Sequence, residues 1–121
     1  MIEVKVGQVT VVVREATIRD DLHAQMIRAK LDIVYANDNN IGYWRLFSDL
    51  ISCVDRADGL PFDTAQVHDL PDDEVGAAYE AFLALSKKLK DKWIKAWNAL
   101  NVDTDPITGP EPLPKGSDPN G

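Results

Sequence analysis

The first apolar pattern in the chain has a period of two. Ile2, Val4 and Val6 alternate with Glu3 and Lys5, and Val9, Val11 and Val13 alternate with Thr10 and Val12. Gly7-Gln8 between them suits a two-residue turn with glycine at its first central position. This predicts a hairpin over 2–14 that pairs Val6 with Val9, Val4 with Val11 and Ile2 with Val13. Directly opposed residues share a face, so the six apolar side chains fall on one side. A lone hairpin is marginal in water, so that side must pack on helices. Its outer edges stay open to a further strand.

From residue 17 the period becomes helical. Thr17 and Asp20 have the spacing of a capping box, and Asp20 and Asp21 suit the positive end of a helix dipole. In a first helix over about 17–35, Ile18, Leu22, Met26, Ala29 and Ile33 form one stripe. Ile27, Leu31 and Val34 lie nearly opposite, so the second half of this helix is expected to be central in a bundle. Residues 36–40 (ANDNN) read as a loop. A second helix over about 41–55 gathers Trp44, Phe47, Leu50, Ile51 and Cys53 on one half and Arg45, Ser48, Asp49 and Ser52 on the other. It ends before the turn signal Ala57-Asp58-Gly59-Leu60-Pro61, and residues 57–71 read as an ordered loop with one short helical turn at 64–67.

A third helix is predicted over 72–100. Asp72, Asp73 and Glu74 fill its first turn. Val75, Ala78, Tyr79, Phe82, Leu85, Leu89, Trp93, Ala96, Trp97 and Leu100 then hold one stripe. Unbroken, it would span ~43 Å at 1.5 Å per residue. A domain of this size has a radius of gyration near ~13 Å. Either the helix breaks near 86–90 or its last turns project. Residues 101–121 contain five of the seven prolines and three of the seven glycines, and read as a flexible tail. The fold class is therefore α+β, mainly α: an N-terminal hairpin packed on three or more helices. One domain, 1–100, precedes the tail.

Composition narrows the function. The 121 residues suffice for a single hydrophobic core. No apolar run approaches the ~20 residues that span a bilayer, and residues 1–30 lack the form of a signal peptide. A soluble, cytoplasmic protein is expected. The net charge of −7 disfavours nucleic acid as a partner. It is uneven: residues 86–100 carry +4 through Lys87, Lys88, Lys90, Lys92 and Lys95 against Asp91, and the remainder carries −11. A lysine cluster late in a helix is either a solvated face or a docking surface for an acidic partner.

No catalytic constellation emerges. His23 and His68 are the only histidines, too few for a zinc site, and His23 reads as a surface residue. Cys53 falls on an apolar helix half, away from any base, and reads as a small hydrophobe. The acidic groups at helix starts are explained by the dipole. Residues 55–63 lack the spacing of a calcium loop, and no phosphate-cradling glycine loop is present. A non-enzyme without cofactor or metal is expected. The candidate partner-binding residues are Trp93, Trp97, Lys90, Leu89, Leu100 and Tyr79, because aromatic anchors on an overhanging helix suit an interface.

Three segments carry a resemblance: GQVTVVVREATIRD, DLISCVDRADGLPFD and LPDDEVGAAYEAFLAL. In them Arg14-Glu15-Ala16-Thr17-Ile18-Arg19-Asp20 joins hairpin to helix, Asp58-Gly59-Leu60-Pro61 makes a turn, and Leu70-Pro71 starts a helix. Together, over about 4–100, they resemble the tail assembly chaperones of long, flexible-tailed phages. The resemblance implies a non-virion factor in the host cytoplasm. It would bind the tape measure protein, keep its apolar helices soluble and help recruit tail tube subunits. It also implies a longer frameshifted product, for which Leu113-Pro114-Lys115 admits a slippery heptamer. Self-association stays open. The rival readings are a structural tail-completion or connector subunit and a nucleic-acid-binding regulator using Lys87 to Lys95.

Overall fold

The computed structural model describes residues 1–35, 41–104 and 106–107. The loop expected at 36–40 and the tail beyond 107 lie outside the described residues. The fold is α+β, mainly α, with strands β1 (Ile2–Val6), β2 (Val9–Val13) and β3 (Val54–Asp58). The helices are α1 (Ile18–Val34), α2 (Ile41–Ser52), α3 (Asp72–Leu83) and α4 (Lys87–Leu100), with one 3-10 turn at Val67–Asp69.

The hairpin has the expected register, Ile2 opposite Val13, Val4 opposite Val11 and Val6 opposite Val9. Gly7 adopts a φ of 59°, the left-handed region that its turn demands. Val4, Val11 and Val13 enter the core, and Ile2, Val6 and Val9 pack at its margin. α2 stops at Ser52, short of the expected 55, and residues 54–58, expected as helix end and loop start, are strand: β3 pairs antiparallel with the outer edge of β2, in the order β1-β2-β3. Its residues are mostly exposed and polar, as befits a sheet edge. Gly59 ends β3 at a φ of 85°, where a Cβ would lie 2.4 Å from the Gln8 carbonyl oxygen. Only glycine lets the chain pass so close to the hairpin turn. The short helical turn forms at Val67–Asp69, just past its expected place.

The predicted third helix breaks. Ser86 takes an extended conformation, and its hydroxyl accepts the Leu89 N–H at 3.1 Å, capping a new helix. The apolar stripe survives the bend because both helices turn it inward. Trp93 thereby meets Phe82 edge-on at 5.8 Å and lies fully in the core, together with Leu89, Trp97 and Tyr79. α4 covers the inner face of the sheet at β1 and β2, and α1 packs on α2 and α3. Gly76 makes the last contact close: a Cβ there would lie 3.2 Å from Val34 Cγ1.

The folded region extends past residue 100. Asn101 is buried, and its side-chain oxygen accepts the Ala16 N–H at 2.9 Å. Ile107 is buried too, so Asn101 and Ile107 are held to the domain where a tail was expected.

Candidate functional site

The position of α1 is set at its first turn. The capping box forms in both directions: the Asp20 N–H donates to Thr17 Oγ1 at 3.3 Å and the Thr17 N–H to Asp20 Oδ2 at 2.8 Å. Arg14, at the end of β2, donates to both Asp20 oxygens, with Nη2 to Oδ1 at 2.9 Å. It also reaches the Ser52 carbonyl at 3.4 Å. Burial pushes the Asp20 carboxyl up, but Arg14 and the Thr17 N–H outweigh it and hold the group below the usual carboxylate range. The hydrogen-bonded carboxylate in turn raises the Arg14 guanidinium.

This pair fixes the rotation of α1. Asp20, Ala24, Ile27 and Leu31 share one face and are the buried residues of the helix. The other apolar stripe therefore points outward, contrary to a central place in the bundle. Ile18 is 83% exposed, Ile33 65%, Leu22 54% and Met26 42%, and Ala29 is exposed among them. A four-turn apolar seam on a protein of this charge is the main unexplained surface among the described residues.

An open cleft of about 700 Å³ adjoins the seam at Ile18. Ala24 and Cys53 lie along it, with Arg28, Arg45 and Asp49 at its rim. Arg28 bridges α1 to α2, donating to Ser48 Oγ at 3.0 Å and Asp49 Oδ1 at 3.1 Å, and Arg45 donates to Asp49 Oδ2 at 3.3 Å. Both rim arginines thus share Asp49. On the far side of α1, Lys30 donates to the His68 and Leu70 carbonyls at 2.6 and 2.7 Å. His23, half-buried and not free on the surface, stacks flat on His68 at 3.6 Å. Burial, and next the adjacent His68, lower the His23 pKa. Two parallel rings do not converge on a metal. Among the described residues no group of three His, Cys, Asp or Glu side chains is placed to hold one. Cys53 is buried, and burial pushes its thiol up to about 11, far from a nucleophile's range.

The expected partner-binding residues do not form a surface. Trp93, Trp97 and Leu89 are core side chains, because the break at Ser86 removes the overhang that would have exposed them, and Tyr79, on α3 before the break, is buried as well. Leu100 packs at the margin of the core. Lys90 is half-buried, donates to the Leu83 carbonyl at 2.7 Å and has its pKa lowered by burial. The remaining lysines, Lys87, Lys88, Lys92 and Lys95, stay exposed on α4, with Lys87 paired to Asp91 at 2.6 Å. No helix among the described residues is long and apolar enough to cross a membrane. No family model, curated protein or solved structure matches the chain.

Proposed function

We propose that this protein is a non-catalytic assembly factor that holds apolar helices of another protein, a tail assembly chaperone of the phage type. The observation that carries the reading is the outward seam of Ile18, Leu22, Met26 and Ile33 on α1. Full burial of a large apolar side chain gains about 1.5–3 kcal/mol, so covering these four would gain most at Ile18 and less at the half-covered Leu22 and Met26. A partner recovers that energy, and a chaperone needs such a surface to compete for apolar segments. The resemblance read in residues 4–100 implies the partners of this reading, a tape measure protein first and tail tube subunits second, and a host cytoplasm as its setting.

The remaining chemistry agrees with binding. The thiol is buried and held protonated, and the two histidines stack on each other. A charge of −7 repels phosphate backbones. Co-expression with a neighbouring tape measure gene is expected to give a soluble complex that survives affinity purification. Failure of the two proteins to co-purify, with tape measure solubility unchanged, refutes the reading. Mass spectrometry of purified particles is expected to find the protein absent; its presence at stoichiometric level makes it a structural subunit instead.

A further inference from the structure

The seam on α1 selects the shape of what covers it. Ile18 and Ala29 are eleven residues apart, as are Leu22 and Ile33, with Met26 between. An eleven-residue repeat gives about 3.67 residues per turn, so the seam runs almost straight along the helix axis. From Ile18 to Ile33 it is ~22 Å long, about four turns. A straight aliphatic ridge of that length matches the ridge-and-groove surface of another helix.

The flanking charges select the chemistry of that helix. At 100° per residue, Asp21, Gln25 and Asp32 line one edge of the seam, and Arg19, Lys30 and His23 the other. The second edge is largely committed. Lys30 is drawn to the carbonyls of His68 and Leu70, and His23 is stacked on His68. Arg28, beyond Asp21, is bound to Ser48 and Asp49. Asp21 and Asp32 are exposed, and Gln25 donates to Asp21 at 3.0 Å. Arg19 is thus the one exposed, outward cation beside the seam among the described residues. The edge that can speak to a partner is acidic.

We propose that the α1 seam docks an amphipathic helix whose own apolar stripe is edged by lysine or arginine, the basic edge lying against Asp21 and Asp32. This rests on the reading of the protein as a binder of apolar helices and gives that reading a surface and a charge preference. A second copy of the chain fits less well. Two-fold antiparallel pairing of two α1 helices sets each Asp21–Asp32 edge against the same edge of its mate. Parallel pairing offers only Arg19 as counter-charge.

The test uses the full chain and two synthetic helical peptides. Both carry the same isoleucine and leucine seam at spacings of four, four and three, one with lysine along its edges and one with glutamate. Fluorescence anisotropy is expected to show the lysine peptide binding at least about tenfold tighter, with the preference shrinking at high salt. Leu22→Lys with Met26→Lys is expected to abolish binding. Both sites are exposed, so the thermal melt checks that the variant is folded. Asp21→Lys with Asp32→Lys is expected to reverse the preference toward the glutamate peptide. The proposal is overturned by absence of lysine-peptide binding, by equal binding of both peptides, or by an unreversed preference in the charge-swapped variant. A dimer that Leu22→Lys dissociates also overturns it, by giving the seam to a second copy. The broader function fails separately. If a tape measure protein co-purifies with the Leu22→Lys, Met26→Lys variant, the chaperone reading stands and the seam is wrong. If the lysine peptide binds as described but no tape measure protein co-purifies, the seam stands and the chaperone reading falls.

Discussion

The side-chain amide of Asn98 pairs with both backbone groups of Ile107: Nδ2 donates to the Ile107 carbonyl at 2.7 Å, and the Ile107 N–H donates to Oδ1 at 2.8 Å. A carboxamide here does what a neighbouring strand would do. It satisfies a buried peptide group and seats the Ile107 side chain in the core. Asn98→Ala orphans both groups, and such orphans cost about 1–3 kcal/mol. The variant is expected to unfold at lower urea, with faster hydrogen exchange at the Ile107 amide. An unchanged midpoint would mean that the pairing of Asn98 with Ile107 adds nothing to stability.

The core tryptophans and the outward seam make opposite predictions. Trp93 is fully buried against Phe82, so Trp93→Ala is expected to cost about 3–5 kcal/mol. Domains are commonly stable by only about 5–15 kcal/mol, so the melting temperature falls steeply. Ile18→Ser and Ile33→Ser touch exposed positions and are expected to stay within about 0.5 kcal/mol of wild type. Thermal melts of the three variants decide. A large loss at Ile18 would place that side chain in the core instead.

Much of this fold is legible in the sequence, and the illegible parts have definite causes. Period-two alternation around Gly7-Gln8 specified the hairpin down to its register, because one slip would turn six apolar residues into water. The α3 and α4 stripe was readable from 75 to 100, but its break was only one of two options. Ser86 is the signal for it, a capping residue amid good helix formers. β3 was invisible because an exposed edge strand of Asp55, Arg56, Ala57 and Asp58 has no apolar alternation to show. α1 carries two apolar faces, and periodicity cannot rank them. The choice is made by Arg14, which binds Asp20 and turns inward the face that Asp20 shares with Ala24, Ile27 and Leu31. A partnered charge, which burial statistics would send to the surface, decided which hydrophobic stripe stays outside. The outward seam follows from that contact, while Trp93 and Trp97 lie buried in the core.

Acid should expose the role of the same contact. The Asp20 carboxyl is held below its ordinary value of 3.8 in the folded chain. A depressed acid contributes stability above its unfolded value and loses it as pH falls through the folded one. Asp20→Asn is expected to lower stability at neutral pH by about 1.5–3 kcal/mol, the range of a hydrogen bond to a charged group. Below pH ~3.8 the gap to wild type should narrow. Urea midpoints taken from neutral pH downward test this, and a constant gap at every pH would reject it.

The His23–His68 stack predicts a second, milder window. Burial, then the neighbouring His68 and Arg19, lower the His23 pKa, while Asp20 and Asp69 oppose them. Above the ordinary value of 6.5 both folded and unfolded chains hold this imidazole neutral, and the contribution is complete. As pH falls below 6.5 the unfolded chain takes up a proton that the folded one resists, so stability declines until the folded value is passed. His23→Gln is expected to flatten that decline. Equal slopes in variant and wild type between pH ~7.5 and ~5.5 would show that the stack is not felt.

Cys53 gives the most direct reading of whether the core is closed. Its side chain is buried, and burial pushes the thiol up to about 11. Only the thiolate reacts with disulfide or alkylating reagents. At pH ~8 an unperturbed thiol, with a pKa near ~8.5, is partly ionised, whereas Cys53 is almost wholly protonated and shielded. The native protein is expected to resist labelling for hours and to react at once in denaturant. Because attack needs opening, the labelling rate of each variant should track its loss of stability: fast for Trp93→Ala, unchanged for Leu22→Lys with Met26→Lys. Rapid labelling of the native wild type would mean that the Cys53 thiol opens to solvent through the cleft between α1 and α2.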